Sequence, residues 1–207
     1  RAKTVDIKYR LPSQGPVAHL VIDATGLKVY GEGEWKIRKH GKEKRRVWRK
    51  LHLAVDATTH AVIAAEVSLE TVADNEVLPT LLNPLRRKIK QVSADGAYDT
   101  KACHALLKKK GAKATIPPRK NAAPWEEDHP RNEAVTALKA GELKQWKKDS
   151  GYHQRSIAET AMYRFKQLIG PTLSLRNYNA QVGEILAGVK VMNKLIGLGM
   201  PVRQPVN

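Results

Sequence analysis

Three strand-like segments precede the first helix-like one, and that order restricts the chain to a small set of sheets. Ala18 to Asp23 is a short β-branched apolar run, and Leu27 to Tyr30 continues it after a bend at Gly26. Val47 to Asp56 and Ala61 to Leu69 read as two further strands joined by a turn over residues 57–60. A helix opening at Asp74 and running to about Lys88 follows, with Asp74 read as its cap. Next come a strand at Gln91 to Asp95, a helix near Thr100 to Lys110 capped by Asp99 and closed by Gly111, and a strand at Ala114 to Pro117. Such an order predicts an α/β mixed sheet, in which an antiparallel meander gains parallel strands through helical crossovers.

The remaining organisation is less regular. Residues 1–16 read as a lead-in, and 17–175 as one core domain. Within it, residues 119–150 form a polar excursion with weak helical pattern near Ala134 to Trp146. A helix bearing Glu159 follows, then residues 176–207 as a C-terminal amphipathic helix (Asn179 to Leu198) and tail.

Charge narrows the partners. Lys and Arg number 37 against 20 acids, a formal net charge of +17, which points to a polyanion. The single cysteine, Cys103, excludes a disulfide framework and a cysteine-based zinc site, and reads as a buried thiol of a reducing compartment. No apolar run reaches the roughly 18 to 20 residues that cross a bilayer, and no secretory signal is visible.

Two aspartates, Asp23 and Asp95, each close an apolar strand. Further on, Tyr152, Arg155, Glu159 and Lys166 stand at steps of three, four and seven, which keep all four on one face of a helix. Phosphoryl transfer with two metal ions needs carboxylates converging from different elements, and Mg2+ suits a few carboxylates plus phosphate oxygens. Singly, each residue has a plainer reading: an Asp after a strand caps a turn, and Arg155 with Glu159 is an ordinary i, i+4 pair. Asp56 is such a turn residue. The whole set in a very basic chain favours an acidic triad that works on nucleic acid.

With these residues in place, the chain resembles the bacterial insertion-sequence transposases of the DDE type, and most closely the insertion sequence five family. The likeness lies in the Tyr-(2)-Arg-(3)-Glu-(6)-Lys signature of Tyr152, Arg155, Glu159 and Lys166. It extends to the blocks His19 to Gly31 and Ser93 to Thr100, and covers roughly residues 17 to 198. The resemblance implies a ribonuclease H-like core in a bacterial cytoplasm, associated with the nucleoid. It implies a divalent-metal site with Asp23, Asp95 and Glu159 as catalytic ligands of Mg2+, for which Mn2+ could substitute. It implies cleavage of double-stranded DNA at element ends and transfer of the freed 3′ hydroxyl into target DNA, by a homodimer assembled on the DNA. Tyr152, Arg155 and Lys166 would then contact DNA near the cleaved end. Members carry a DNA-binding region ahead of the first Asp, and only about twenty residues precede it in this sequence. A nuclease without strand transfer, or a DNA-binding remnant that no longer cuts, stays open as an alternative.

Outside the signature, Lys36 to Lys50 holds nine Lys or Arg in fifteen residues. It reads as the tip of a hairpin contacting phosphate, with Lys42, Lys44, Arg45 and Arg46 at its centre. Trp125 and Trp146 in the excursion could stack on a displaced base, or anchor the core. His153 faces away from the signature and reads as structural.

Overall fold

The structure, a computed structural model, describes residues 15–29 and 47–199. The lead-in up to residue 14, the centre of the basic arm (Lys42, Lys44, Arg45 and Arg46) and the tail from residue 200 lie outside the described residues. Strands β1 (Val17–Val29), β2 (Trp48–Asp56) and β3 (Val62–Leu69) form the meander. Helix α1 (Asp74–Leu82), strand β4 (Ile89–Ser93), helix α2 (Lys101–Lys109) and strand β5 (Lys113–Thr115) then alternate. The excursion holds α3 (Arg131–Lys139) and α4 (Leu143–Asp149), followed by α5 (Ser156–Leu168), a short β6 (Thr172–Leu173) and α6 (Tyr178–Gly197).

The sheet order is β3-β2-β1-β4-β5, with β6 pairing the far end of β1. β1 runs antiparallel to β2 from Leu20 opposite Asp56 to Lys28 opposite Trp48. It runs parallel to β4 from Val17 opposite Ile89 to Val21 opposite Ser93. The mixed sheet that the segment order predicts is therefore present.

Alternation along β1 and β2 assigns the two faces. Leu20, Ile22 and Ala54 pack with Leu78 and Leu82 of α1 and Cys103 and Leu107 of α2. Val21, Leu27, Leu51 and Leu53 point the other way, against Ala158, Ala161, Met162 and Phe165 of α5 and Ile185, Val189 and Met192 of α6. At roughly 1.5–3 kcal/mol per fully buried aliphatic side chain, these two faces supply the main drive for folding. Gly188 lets α6 close on α5, because a Cβ there would stand 2.9 Å from Ile169 and 3.0 Å from Phe165.

Several boundaries differ from the sequence reading. β1 has no break at Gly26; it runs on because β2 pairs with it as far as Lys28, and Trp48 lies 3.3 Å from where a Cβ of residue 26 would be. Asp23 is therefore inside a continuous strand rather than at its end. Helix α1 stops at Leu82 rather than near Lys88: Asn83 keeps helical angles (φ −59°, ψ −38°), and Pro84 after it has no N–H to carry the helical ladder on. Pro79 inside that helix leaves the Asn75 carbonyl without its helical donor, and the Cys103 thiol contacts it at 3.7 Å. Ala73, not Asp74, occupies the cap position; Asp74 instead pairs with Lys50 at 2.9 Å. The expected Gly111 stop holds, with φ of 66° and the paired bonds Gly111 to Lys108 and Ala112 to Leu107. Asp56 takes its expected turn role, accepting from the Thr58 amide at 2.9 Å.

Between β2 and β3 lies one buried histidine with a consequence for stability. His52 is fully buried, its Nε2 is 2.9 Å from Ser68 Oγ, and burial lowers its pKa to about 4. An unfolded histidine titrates near 6.5, so below that pH the unfolded chain takes up a proton that the folded one refuses. Stability is whole above about pH 6.5 and falls as pH drops toward 4, by about 3 kcal/mol from this group. Denaturant melts of the wild type and His52→Gln between pH 7 and 4 check this: the variant should show a shallower slope, and equal slopes would refute it.

Candidate active site

Asp23 reaches the site from β1 because the odd-numbered residues from Val21 onward, such as Leu27 and Val29, lie on the face toward α5. Val21 pairs with Ser93 in the parallel register, so two residues further on Asp23 stands alongside Asp95. Asp95 lies just past β4, where its Oδ1 accepts from the Ala97 amide at 2.9 Å and caps the short 3₁₀ turn Gly96–Tyr98. Glu159 comes from the first turn of α5, the helix that packs over β1 and β2.

Arg155 ties this set together. Its Nη1 donates to Asp23 Oδ2 at 2.6 Å, and its Nη2 donates to Glu159 Oε1. Asp23 also accepts from the Ala24 amide at 2.9 Å. Burial raises the Asp23 carboxyl above the ordinary carboxylate range and the neighbouring Asp95 charge adds to this, while the Ala24 amide and Arg155 oppose it. Burial also raises the Tyr152 phenol; Arg155 opposes that shift, and Asp95 and Asp23 reinforce it. The Asp95 charge therefore reaches both Asp23 and Tyr152. The Arg155 guanidinium is 5.9 Å from the Tyr152 ring centroid, and Lys147 Nζ is 5.3 Å from it.

The single helix expected from Tyr152 to Lys166 is divided. Tyr152–Arg155 is a 3₁₀ turn, and the α-helix begins at Ser156. Gly151, at φ of 70°, sets the chain direction just before it. Glu159 and Lys166 still share a face of α5 at i+7, whereas Tyr152 and Arg155 enter from the turn. Lys166 is half-buried and makes no ion pair among the described residues. His153 is exposed and contributes only a carbonyl, to Ser156 Oγ at 2.9 Å.

Other expectations resolve differently. Arg49 and Lys50, the inner end of the basic arm, are committed to the fold: Arg49 donates to Gln181 at 2.8 Å, and Lys50 donates to the Val72 carbonyl at 2.8 Å and to Asp74. Trp125 is not free to stack, because the Arg131 guanidinium covers it at 4.1 Å while His104 and His129 meet it edge-on. Trp146 lines a cavity of about 490 Å3 between α2, β5 and α3, together with Ala112, Ala114 and Ile116. Asp99 is not the cap of α2; Thr100 is, and Asp99 is instead buried against Arg131. That pair gave no signal in the sequence, since an Asp one residue before a Thr reads as a cap and Arg131 sits in a polar stretch.

As the side chains stand, no group of three His, Cys, Asp or Glu among the described residues is arranged to hold a metal ion. The donor chemistry nonetheless fits a hard divalent cation, because the residues are carboxylates and a positive group already bridges two of them. Asp23 and Glu159 would have to release Arg155, and Asp95 would have to turn from its cap.

The mixed sheet, with Asp23 on β1, Asp95 just past the parallel β4 and the Glu159-bearing helix laid across them, belongs to a transposase-type catalytic core by its family match. The family model described as "Transposase DDE domain" matches residues 16–193, and the chain belongs to that family. Among solved structures, the chain is similar to a piggyBac transposase seen in a synaptic complex with hairpin DNA, at 14% identity and a TM-score of 0.53. The match covers 87% of this chain and 47% of that one, so this chain spans about half its length. The catalytic core domain of BIV integrase also matches, at 14% identity and a TM-score of 0.38, over 83% of this chain and 82% of that one. The fold is ribonuclease H-like, as the resemblance implies: the sheet order β3-β2-β1-β4-β5 and the likeness to the piggyBac transposase support it. No helix among the described residues is long and apolar enough to cross a membrane.

Proposed function

We propose that this chain is the catalytic core of a bacterial insertion-sequence transposase of the insertion sequence five type, cutting DNA at element ends and joining the freed ends to target DNA. The observation that carries this reading is the Arg155 bridge from Asp23 on β1 to Glu159 on α5, with Asp95 just past the end of the neighbouring parallel strand β4. Two carboxylates from two elements thus meet at one cationic group, and the third stands near Asp23. Asp23, Asp95 and Glu159 would hold Mg2+, or Mn2+ in its place. When bound, such ions make an attacking oxygen more nucleophilic and offset charge on the leaving one.

The chain's own residues supply the rest. Arg155, once released from its two carboxylates, has the planar donor fork that suits a phosphate oxygen pair. Lys166, two turns along α5 from Glu159, offers a second cation on the same face. Tyr152 flanks Arg155 and borders the path a strand end would take. The net charge of +17 attracts double-stranded DNA, and the structurally similar piggyBac protein is itself named in complex with hairpin DNA. Acting on paired ends calls for a homodimer formed on the DNA.

The test is strand transfer from a labelled, pre-cut element end with a free 3′ hydroxyl, incubated with target duplex and Mg2+. A joined product of higher mass is expected. Nicking without joining would reduce the protein to a nuclease, and salt-sensitive binding with neither reaction would make it a binding remnant.

A further inference from the structure

The turn that presents Tyr152 and Arg155 is not placed by apolar packing, because none of its residues is buried. Two polar side chains of the sheet lie beneath it. Gln91, on β4, donates from Nε2 to the Ser150 carbonyl at 2.8 Å and to Thr115 Oγ1 at 2.9 Å. His19, the partner of Gln91 across the β1–β4 ladder, is buried, sits 2.7 Å from Ser93 Oγ, and lies close to Gln154. Thr115 and Ser93 are fully buried, so the far ends of both struts are fixed in the core.

The strands involved are the ones that carry the aspartates. His19 precedes Asp23 by four residues on the same face of β1, and Ser93 precedes Asp95 by two on β4. Ser150 and Gln154 bracket the bend, the first just before Gly151 and the second beside Arg155. The Gln91 hydrogen bond just ahead of so short a segment, with His19 near Gln154 at its other end, sets its height and rotation above the sheet, and with them the direction of the Arg155 side chain. Here sequence, topology and site meet: the residues that define the register of the Asp23–Asp95 pair also hold the arginine that faces it.

We infer that Gln91 and His19 are positioning residues, acting through Ser150 and Gln154 to hold the Arg155 guanidinium against Asp23. This rests on the proposed reading of the site as a DNA-cleaving centre. Neither residue touches the reacting groups. A misplacement of about 1 Å is enough to cost on the order of a hundredfold in rate, so an effect of about tenfold or more on turnover is expected when either strut is removed.

The experiment uses the full chain with ¹⁵N-labelled arginine, comparing wild type, Gln91→Met and His19→Asn. The Arg155 Nε–Hε resonance, assigned by its loss in Arg155→Lys, reads the guanidinium's position without any catalysis. In both variants it should shift and broaden, while circular dichroism stays native. In Mn2+-dependent cleavage of duplex DNA, kcat should fall about tenfold or more with KM for DNA unchanged within about twofold. An unmoved resonance in both variants overturns the inference, as does cleavage at the wild-type rate. If the resonance moves but the wild type cuts no DNA, the positioning stands and the functional reading of the site fails.

Discussion

Replacing Arg131 by methionine is expected to cost about 3–5 kcal/mol of folding stability, the penalty for stranding a buried charge. The reason lies in its partner. Arg131 Nε and Nη2 reach the two Asp99 oxygens at 2.5 and 2.6 Å, with side chains only 4% and 1% exposed. The third nitrogen, Nη1, donates to the Ala123 carbonyl at 2.9 Å, and the guanidinium plane covers Trp125. Burial works to raise the Asp99 carboxyl, yet bonds from Arg131, with His104 and the Arg119 amide assisting, hold it down at about 2. Without the arginine, that carboxylate is left buried and uncompensated. Arg119 reinforces the same junction, reaching the Gly96 and Ala97 carbonyls at 3.3 Å each.

Thermal melts of Arg131→Met should show a midpoint lowered by roughly 6–20 °C, at about 2–4 °C per kcal/mol for a chain of this size. A shift under about 2 °C would show that the pair carries no such role. Replacing both partners, Asp99→Leu with Arg131→Met, should recover part of the loss, since an apolar pair strands no charge. The pH window separates this pair from His52. Asp99 is lowered from an unfolded value near 3.9, so its contribution is complete above about pH 4 and is lost as pH falls toward 2.

The second large effect concerns the carboxylates. Removing a single group that holds charge in the transition state should cost about 4 kcal/mol or more, a thousandfold in rate. Of the three substitutions, Asp95→Asn is the cleanest. An asparagine amide oxygen can still accept from the Ala97 amide, so the turn stays capped while the negative charge is lost. Asp23→Asn is less selective, because it also takes from Arg155 its half-buried counterion. Glu159→Gln is intermediate: its side chain is 53% exposed, and the fold does not depend on its bond to Arg155.

Much of this was legible in the sequence for one reason: β-branched alternation and strand-then-helix order are local signals. They located β1 to β5 and all but the edges of α1, α2, α5 and α6. The candidate carboxylates were legible only as a set, since each alone reads as a turn residue or an ordinary helical ion pair, and the fold then placed Asp23 near Asp95. What was hidden depends on distant pairing. The continuation of β1 past Gly26 is decided by β2, and the early end of α1 by Pro84. The division of the signature into a 3₁₀ turn and a helix goes with the left-handed Gly151 and the fixing of Ser150 to the sheet by Gln91, which no i, i+4 pattern encodes. Asp99 with Arg131 spans 32 positions, and nothing near either residue announces the other.

The most direct test of the central claim is nicking of duplex DNA at low salt by wild type and Asp95→Asn, each with Mg2+, with Mn2+ and with chelator, and with DNA binding measured in parallel. The account predicts metal-dependent nicking by the wild type, and less than about a thousandth of that rate in Asp95→Asn with DNA binding retained. Nicking by Asp95→Asn at the wild-type rate would contradict it.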